Sequence, residues 1–410
     1  MQRSGDSDDR FAKIRDREAA LPPQAPRQQT TSSTRGSSRH AGAPELATAQ
    51  RSVLFLTSHF HAPSYRKTDI HLLAEALSQQ GFSAHIATVG QSRLKQWLKR
   101  DTRLLARSAE AYPGSLVVRE PYHPPSSRPI VNFLTAPLLW NYGARIEERL
   151  AALARQASII FVEAGYALFY VNGLEAVAPQ AQLCGLLNDA LPLVGFRPEV
   201  VAQATRVLPR LHVVRVPAEA LLHELPSSAR GCYIPHGVEK KLFDRCDRNP
   251  YPAGTRNVVS VGNMLLDHAV LRTMAASRPD VIMHVIGGDI PGLRPANLVV
   301  HGEMPFAQTI PFIKFADAGV AAYGPRPGME YLAQSSMKLL QYSYCGLPVL
   351  LPRQLGSRRV NVIPYDRNDR ASIAGALEAA LARGRVPDAG ADVLDWTEVA
   401  ARLLMACEKH

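Results

Sequence analysis

The chain has 410 residues, 46% of them apolar, which is room for two ordinary domains with a sizeable core. Its formal net charge of +11 calls for a negative partner: nucleic acid, anionic lipid or a nucleotide-sugar. The sequence excludes a spanning helix, since no run of about 18 apolar residues occurs; no secretory leader is evident, and five scattered cysteines without a C-x-x-C pair read as reduced thiols of a cytoplasmic protein.

Residues 1–50, rich in Ser, Thr, Arg, Gln and Pro, are expected to form a disordered tail. Asp6-Ser7-Asp8, the chain's D-x-D, falls there and is discounted as a metal motif. Val53 to Leu56 reads as a buried parallel strand, with the loop Thr57-Ser58-His59-Phe60-His61 at its C-terminal end. The periodic apolar residues Ile70, Leu72, Leu73, Ala76 and Leu77 predict a helix stopped at Gly81, and Ala84 to Val89 a second strand. This is βαβ spacing, whose ligands gather at the strand C-termini, but no G-x-G-x-x-G follows the first strand.

Residues 92–108 place Arg93, Lys95, Lys99, Arg100, Arg103 and Arg107 around Leu94, Trp97, Leu98 and Leu105. A basic amphipathic helix there suits an anionic membrane surface, and equally a helix packed on its own domain with a solvated basic face. The apolar stretch from Pro129 to Tyr142 is too short to span. Further strands are read at Ile159 to Val162, ending in Glu163-Ala164-Gly165, at Leu183 to Leu187, ending in Asn188-Asp189, and at His212 to Val216. Asp189, just past a buried strand, stands where a general base would be placed; a turn or helix-cap aspartate is the plain alternative.

Ile234-Pro235-His236-Gly237-Val238 marks the entry to a second alternating region. Its strands are read at Val258 to Val261, Ile282 to Ile286, Leu298 to Val300, Ala318 to Ala322 and Val349 to Leu351, and the terminal periodic segment around Val399, Leu403 and Leu404 is a helix. Between the last two of these strands, Ser335-Ser336 stands at the N-cap of a short helix through Met337, Leu339 and Leu340, closed by Gly346 and Pro348. Lys338 then occupies the first turn of that helix, where backbone N–H groups already favour an anion. A diphosphate would suit both; the bland alternative is a solvated surface lysine.

The expected architecture is α/β, with two doubly wound Rossmann-like domains facing a cleft, residues 51–231 and 232–389, the helix at 390–410 completing the first. At this point a resemblance becomes specific. Val261-Gly262-Asn263-Met264-Leu265-Leu266-Asp267, His284-Val285-Ile286-Gly287, His301-Gly302-Glu303-Met304 through Ile310, and Ser335-Ser336-Met337-Lys338-Leu339-Leu340-Gln341-Tyr342 resemble, in order and spacing, the xanthan glucuronosyltransferase (GumK) family. The resemblance covers about residues 50–355 and is densest in the second domain.

It implies a GT-B fold and an inverting, metal-independent enzyme, peripheral on the cytoplasmic face of the inner membrane. Such an enzyme transfers glucuronate from UDP-glucuronate to a polyprenyl-diphosphate-linked oligosaccharide, the UDP-sugar being a substrate and no cofactor being needed. By the same resemblance Met264, Glu303 and Tyr323 would contact UDP, Met337, Lys338 and Gln341 would hold its phosphates and ribose, and Asp189 would be the base. The segment Arg326 to Glu330 departs from the family pattern, which leaves the sugar itself open. Retaining relatives carry Glu-x7-Glu before the C-G-x-P-V turn; Ala333 and Gln341 stand at those positions here, which points to inversion. Two rivals are kept. One is an enzyme of the same fold using another UDP-sugar. The other is a nucleic-acid-binding protein, which the charge alone suggests and which no RRM, HTH, KH or zinc-knuckle pattern supports.

Overall fold

The computed structural model describes residues 51–58, 67–93, 115–120 and 136–409. The N-terminal tail with its D-x-D, most of the loop after the first strand, the basic segment 92–108 beyond Arg93, and the apolar stretch up to residue 135 lie outside those residues.

Two parallel sheets carry the described chain. The first contains β1 (Ser52–Thr57), β2 (Ser83–Ser92), β3 (Leu116–Glu120), β4 (Ala157–Glu163), β5 (Gln182–Leu186), β6 (Val214–Val216) and β7 (Gly231–Tyr233), in the order β3-β2-β1-β4-β5-β6-β7. A short strand β8 (Gly237–Val238) comes next in the chain. The second sheet contains β9 (Arg256–Val261), β10 (Val281–Ile286), β11 (Leu298–Gly302), β12 (Ala318–Val320), β13 (Val349–Pro352) and β14 (Val362–Tyr365), in the order β11-β10-β9-β12-β13-β14. Both are doubly wound: the order reverses between β1 and β4 in one sheet and between β9 and β12 in the other, and in such sheets the crevice at the reversal is where ligands bind.

The strands form where continuous apolar runs demand burial on both faces. Val53, Leu54, Phe55 and Leu56 of β1 are wholly buried, on either side of the sheet, in two different clusters. The helix Asp69–Gln79 seals one side through Ile70, Leu73 and Leu77. The chain's last helix, Trp396–Glu408, returns to that cluster with Trp396, Val399, Leu403 and Cys407. It is entered through β15 (Leu394–Asp395), which pairs in parallel with β8.

Three expected features need correction in detail. The strand Leu183 to Leu187 stops at Leu186, which leaves Leu187, Asn188 and Asp189 in the loop at the sheet's mouth. Strands β3, β7 and β14, all at sheet edges, were not expected. Ser336 does occupy the N-cap position of the helix Met337–Tyr344, but its side chain makes no cap hydrogen bond; its hydroxyl meets the Tyr323 hydroxyl at 2.6 Å instead.

Candidate active site

The two crevices open into one cavity of about 450 Å³. At the first reversal the hydroxyl of Thr57, the last residue of β1, donates to Glu163 Oε2, at the end of β4, at 2.5 Å. Glu163, Asn188 and Asp189 line the cavity from this side, with Asp69 from the first turn of the helix beside them.

On the other side, three neighbouring strands end in glycines of positive φ: Gly262 after β9 (+85°), Gly287 after β10 (+82°) and Gly302 closing β11 (+70°). These turns need a residue without a Cβ, and they leave bare backbone near the cavity. The loop after Gly262 is clamped. Leu265 adopts φ +52°, a conformation that costs a non-glycine residue roughly 1–3 kcal/mol unless its surroundings hold it. They do: its carbonyl accepts from Gly324 N at 2.6 Å, and Leu266 bridges to Tyr323. Asp267 then caps the helix His268–Ser277 through Ala269 N and Val270 N, while its other oxygen accepts from Arg367 at 2.7 and 3.2 Å. The outcome is a fixed loop with Met264 exposed at the cavity.

The helix Met337–Tyr344 is locked just as firmly. The Tyr342 ring lies where Gly319 has no side chain; a Cβ at Gly319 would come within 2.6 Å of that ring. The Tyr342 hydroxyl accepts from Val261 N at 3.0 Å, at the end of β9. Lys338 in the first turn is thereby held over Gly262, and its ammonium sits 4.8 Å from the centre of the Tyr323 ring. Among the described residues Lys338 has no hydrogen bond and no ion pair. Burial lowers its pKa to about 8. An ammonium in the first turn of a helix, beside backbone N–H groups, favours a negative group.

The cavity brings together every site residue expected from the sequence: Asp189, Met264, Glu303, Tyr323, Met337, Lys338 and Gln341 all line it. Glu303 is exposed at its rim, Gln341 and Tyr323 are buried in its wall, and Met337 also packs against the core of the first sheet. Asp189 faces them from the opposite side. Its Oδ1 accepts from the Tyr331 hydroxyl at 2.8 Å. Burial, and then the neighbouring Asp189, push the Tyr331 pKa up, so the phenol stays protonated and remains a donor.

Tyr331 was missed in the sequence, as were His236 and Arg215. Nothing local marks Tyr331, because its partner is 142 positions away. Arg215 did carry a signal: it is a lone charge inside the apolar run His212 to Val216.

With this geometry in view, the comparisons with known proteins are informative. Residues 55–217 match the family described as glucuronosyltransferase GumK, N-terminal domain. The chain is 30% identical over 377 residues to a UDP-glucuronate:glycolipid 2-beta-glucuronosyltransferase of Xanthomonas campestris pv. campestris, covering 88% of this chain and 91% of that one. Among solved structures, Anabaena HepE in complex with UDP and glucose is similar at TM-score 0.59 and 14% identity, over 88% of this chain and all of that one. The Candida albicans trehalose-6-phosphate phosphatase N-terminal domain is similar at TM-score 0.60 and 11% identity, over 90% and 98%. At such identities the structures share the fold alone, and that fold is GT-B. The extent of the match to the Xanthomonas protein identifies the sequence: the chain belongs to the GumK glucuronosyltransferase family.

Proposed function

We propose that the protein transfers glucuronate from UDP-glucuronate to a polyprenyl-diphosphate-linked oligosaccharide, with inversion and without a resident metal. The observation that carries this reading is the opposition of two groups across one cavity: the Asp189 carboxylate in the loop after β5 of the first sheet, and on the side of the second the Lys338 ammonium, which has no ion pair among the described residues. The membership of the GumK family adds the donor class, since the Xanthomonas relative is described as acting on UDP-glucuronate and a glycolipid.

In this reading UDP lies along the ends of β9, β10 and β11. Its diphosphate meets Lys338 and the N-terminus of the helix Met337–Tyr344. Glu303 takes the ribose hydroxyls, as a carboxylate at a strand end does in dinucleotide sites. Met264, Tyr323, Met337 and Gln341 complete the donor wall. Asp189 removes the proton of the acceptor hydroxyl as that oxygen attacks C1 of the sugar. The C1–oxygen bond to the diphosphate breaks on the opposite face, and UDP leaves carrying the electron pair. Lys338 balances the charge that appears there, a role a metal plays in other transferases. Among the described residues no group of three His, Cys, Asp or Glu is arranged to hold one.

Donor choice and stereochemistry test the reading directly. Purified protein supplied with UDP-glucuronate, UDP-glucose or UDP-mannose and a lipid-linked oligosaccharide should turn over the glucuronate donor best, and an α-linked donor should give a β-linked product by NMR. Preference for another donor would transfer the reading to a different UDP-sugar; an α-linked product would remove the inverting mechanism. A second test concerns location, proposed as peripheral on the cytoplasmic face of the inner membrane. No helix among the described residues is long and apolar enough to cross a membrane. The basic segment 92–108 should hold the protein on anionic vesicles, each basic side chain contributing about 1 kcal/mol. Replacing Lys95, Lys99, Arg100 and Arg103 together with Gln should release it in cosedimentation. Unchanged binding would show that this segment is not the anchor.

A further inference from the structure

Arg215 lies in the middle of β6 and is completely buried. A charge sealed from water costs several kcal/mol unless it is paired and its hydrogens are used, so where those hydrogens go matters. Nε donates to the Ile234 carbonyl at 2.8 Å. One terminal nitrogen donates to Asn188 Oδ1 at 3.0 Å and lies 3.6 Å from Asp69 Oδ2. The other meets His236 Nδ1 at 3.2 Å. Burial lowers the Arg215 pKa to about 10, and the Asp69 carboxylate opposes the fall, so the group remains cationic at neutral pH. His236 is held neutral by burial and by that same cation; with an arginine donating to Nδ1, its own ring proton sits on Nε2.

The positions of these partners are informative. Asn188 immediately precedes Asp189 in the chain, in the loop that starts where β5 ends. Asp69 opens the helix Asp69–Gln79. Ile234 and His236 belong to the connection that leads out of the first sheet toward the second. Asn188, Asp69 and His236 all line the donor cavity, whereas Arg215 does not. A single planar guanidinium below the cavity floor therefore ties together the base-bearing loop, a helix start and the inter-sheet connection. Tyr331 grips the Asp189 carboxylate from the other sheet. Arg215 holds the same loop from beneath.

We propose that Arg215 is a positioning residue for glycosyl transfer: through Asn188 it sets the loop from which Asp189 projects, and so the distance and direction of the base toward the acceptor. The proposal rests on the reading of Asp189 as the base. Lysine cannot replace the arginine, because one ammonium cannot span three partners held by a rigid fork.

The test compares full-length parent, Arg215→Lys, Asn188→Ala, the double variant and Asp189→Asn. Each is measured for thermal unfolding, for UDP affinity by calorimetry, and for kcat and donor KM with UDP-glucuronate and the lipid-linked oligosaccharide. Both single variants should lose about 10- to 100-fold in kcat, the effect of misplacing a reacting group by about 1 Å, with UDP affinity and donor KM unchanged. The double variant should be no slower than the slower single, since both changes break one link. A purely structural arginine would give lower melting temperatures with parental kcat. That result, or losses that multiply in the double variant, would overturn the proposal. Should Arg215→Lys not fold, Asn188→Ala, at the cavity edge, decides alone: parental kcat there ends the proposal. Asp189→Asn separates the two levels. If it still transfers at the parental rate, the reading of the base has failed and the positioning role falls with it; if it is inactive while Arg215→Lys and Asn188→Ala keep parental kcat, only the positioning role has failed.

Discussion

Asp189→Asn is expected to reduce transfer by roughly 10²- to 10⁴-fold, the usual cost of removing a positioned general base, while leaving UDP affinity and thermal stability near those of the parent. The geometry dictates both halves. The side chain sits in the loop after β5, in the first sheet, and the wall that would hold UDP belongs to the second. Amide and carboxylate are nearly the same size, and the amide oxygen can still accept from the Tyr331 hydroxyl, now at 2.8 Å from Oδ1. The Tyr331 hydroxyl therefore keeps its acceptor, and a stranded buried donor is the main way such a substitution would unfold the protein. The amide has no basic lone pair, so the acceptor hydroxyl keeps its proton. Kinetics with saturating UDP-glucuronate and calorimetry with UDP give the result directly. Near-parental kcat would move the base elsewhere, and Glu163 and Asp69, which line the same cavity, are the groups to substitute next. A loss of UDP affinity would instead place Asp189 among the donor-binding groups.

How far the site could be read from the sequence depended on where each residue's partners lie. The strand ends were legible because buried parallel strands are continuous apolar runs, and Val53 to Leu56 or Val258 to Val261 have no other stable place. Residues just past such a run sit at the sheet's mouth, which brought Asp189 and Gly262 into view. Lys338 was legible from its position in a short helix whose stop signals, Gly346 and Pro348, are adjacent, and Gly346 does take φ +66°. The unexpected strands are short and lie at sheet edges. β14, Val362–Tyr365, contains Pro364, which reads against a strand and is tolerated only at an edge. Ser336 takes the N-cap position that local propensity predicts, but its hydroxyl is claimed by the Tyr323 hydroxyl, which arrives from beyond the end of β12. Tyr331 and the partners of Arg215 are products of tertiary structure and leave no spacing to detect. Sequence therefore exposed the groups that would meet the substrate and concealed those that hold them in place.

Lys338→Ala should weaken UDP binding by about 10- to 100-fold, since a charge-assisted hydrogen bond contributes roughly 1.5–3 kcal/mol and each 1.4 kcal/mol is tenfold. The fold should be indifferent to the change. The ammonium has no hydrogen bond or ion pair among the described residues, and the helix is anchored one turn later by Tyr342 on Val261. Losing an under-solvated charge removes a cost from the free protein, so its melting temperature should hold or rise slightly. Linkage supplies a second signature. With the Lys338 pKa near 8 in the free protein, the ammonium is present below that pH and is lost above it. In the proposed reading the UDP diphosphate prefers the ammonium and would raise its pKa on binding. Affinity should therefore be level below about pH 8 and fall as pH rises past it, with proton uptake on binding in that range. Calorimetry between pH 7 and 9.5 in buffers of differing ionisation enthalpy would show both effects in the parent and neither in Lys338→Ala. Arginine at the same position should retain binding at the high end of this range, because it stays protonated there. Equal UDP affinity in parent and alanine variant at pH 7 would remove Lys338 from the donor-binding groups and leave the leaving diphosphate without its cation.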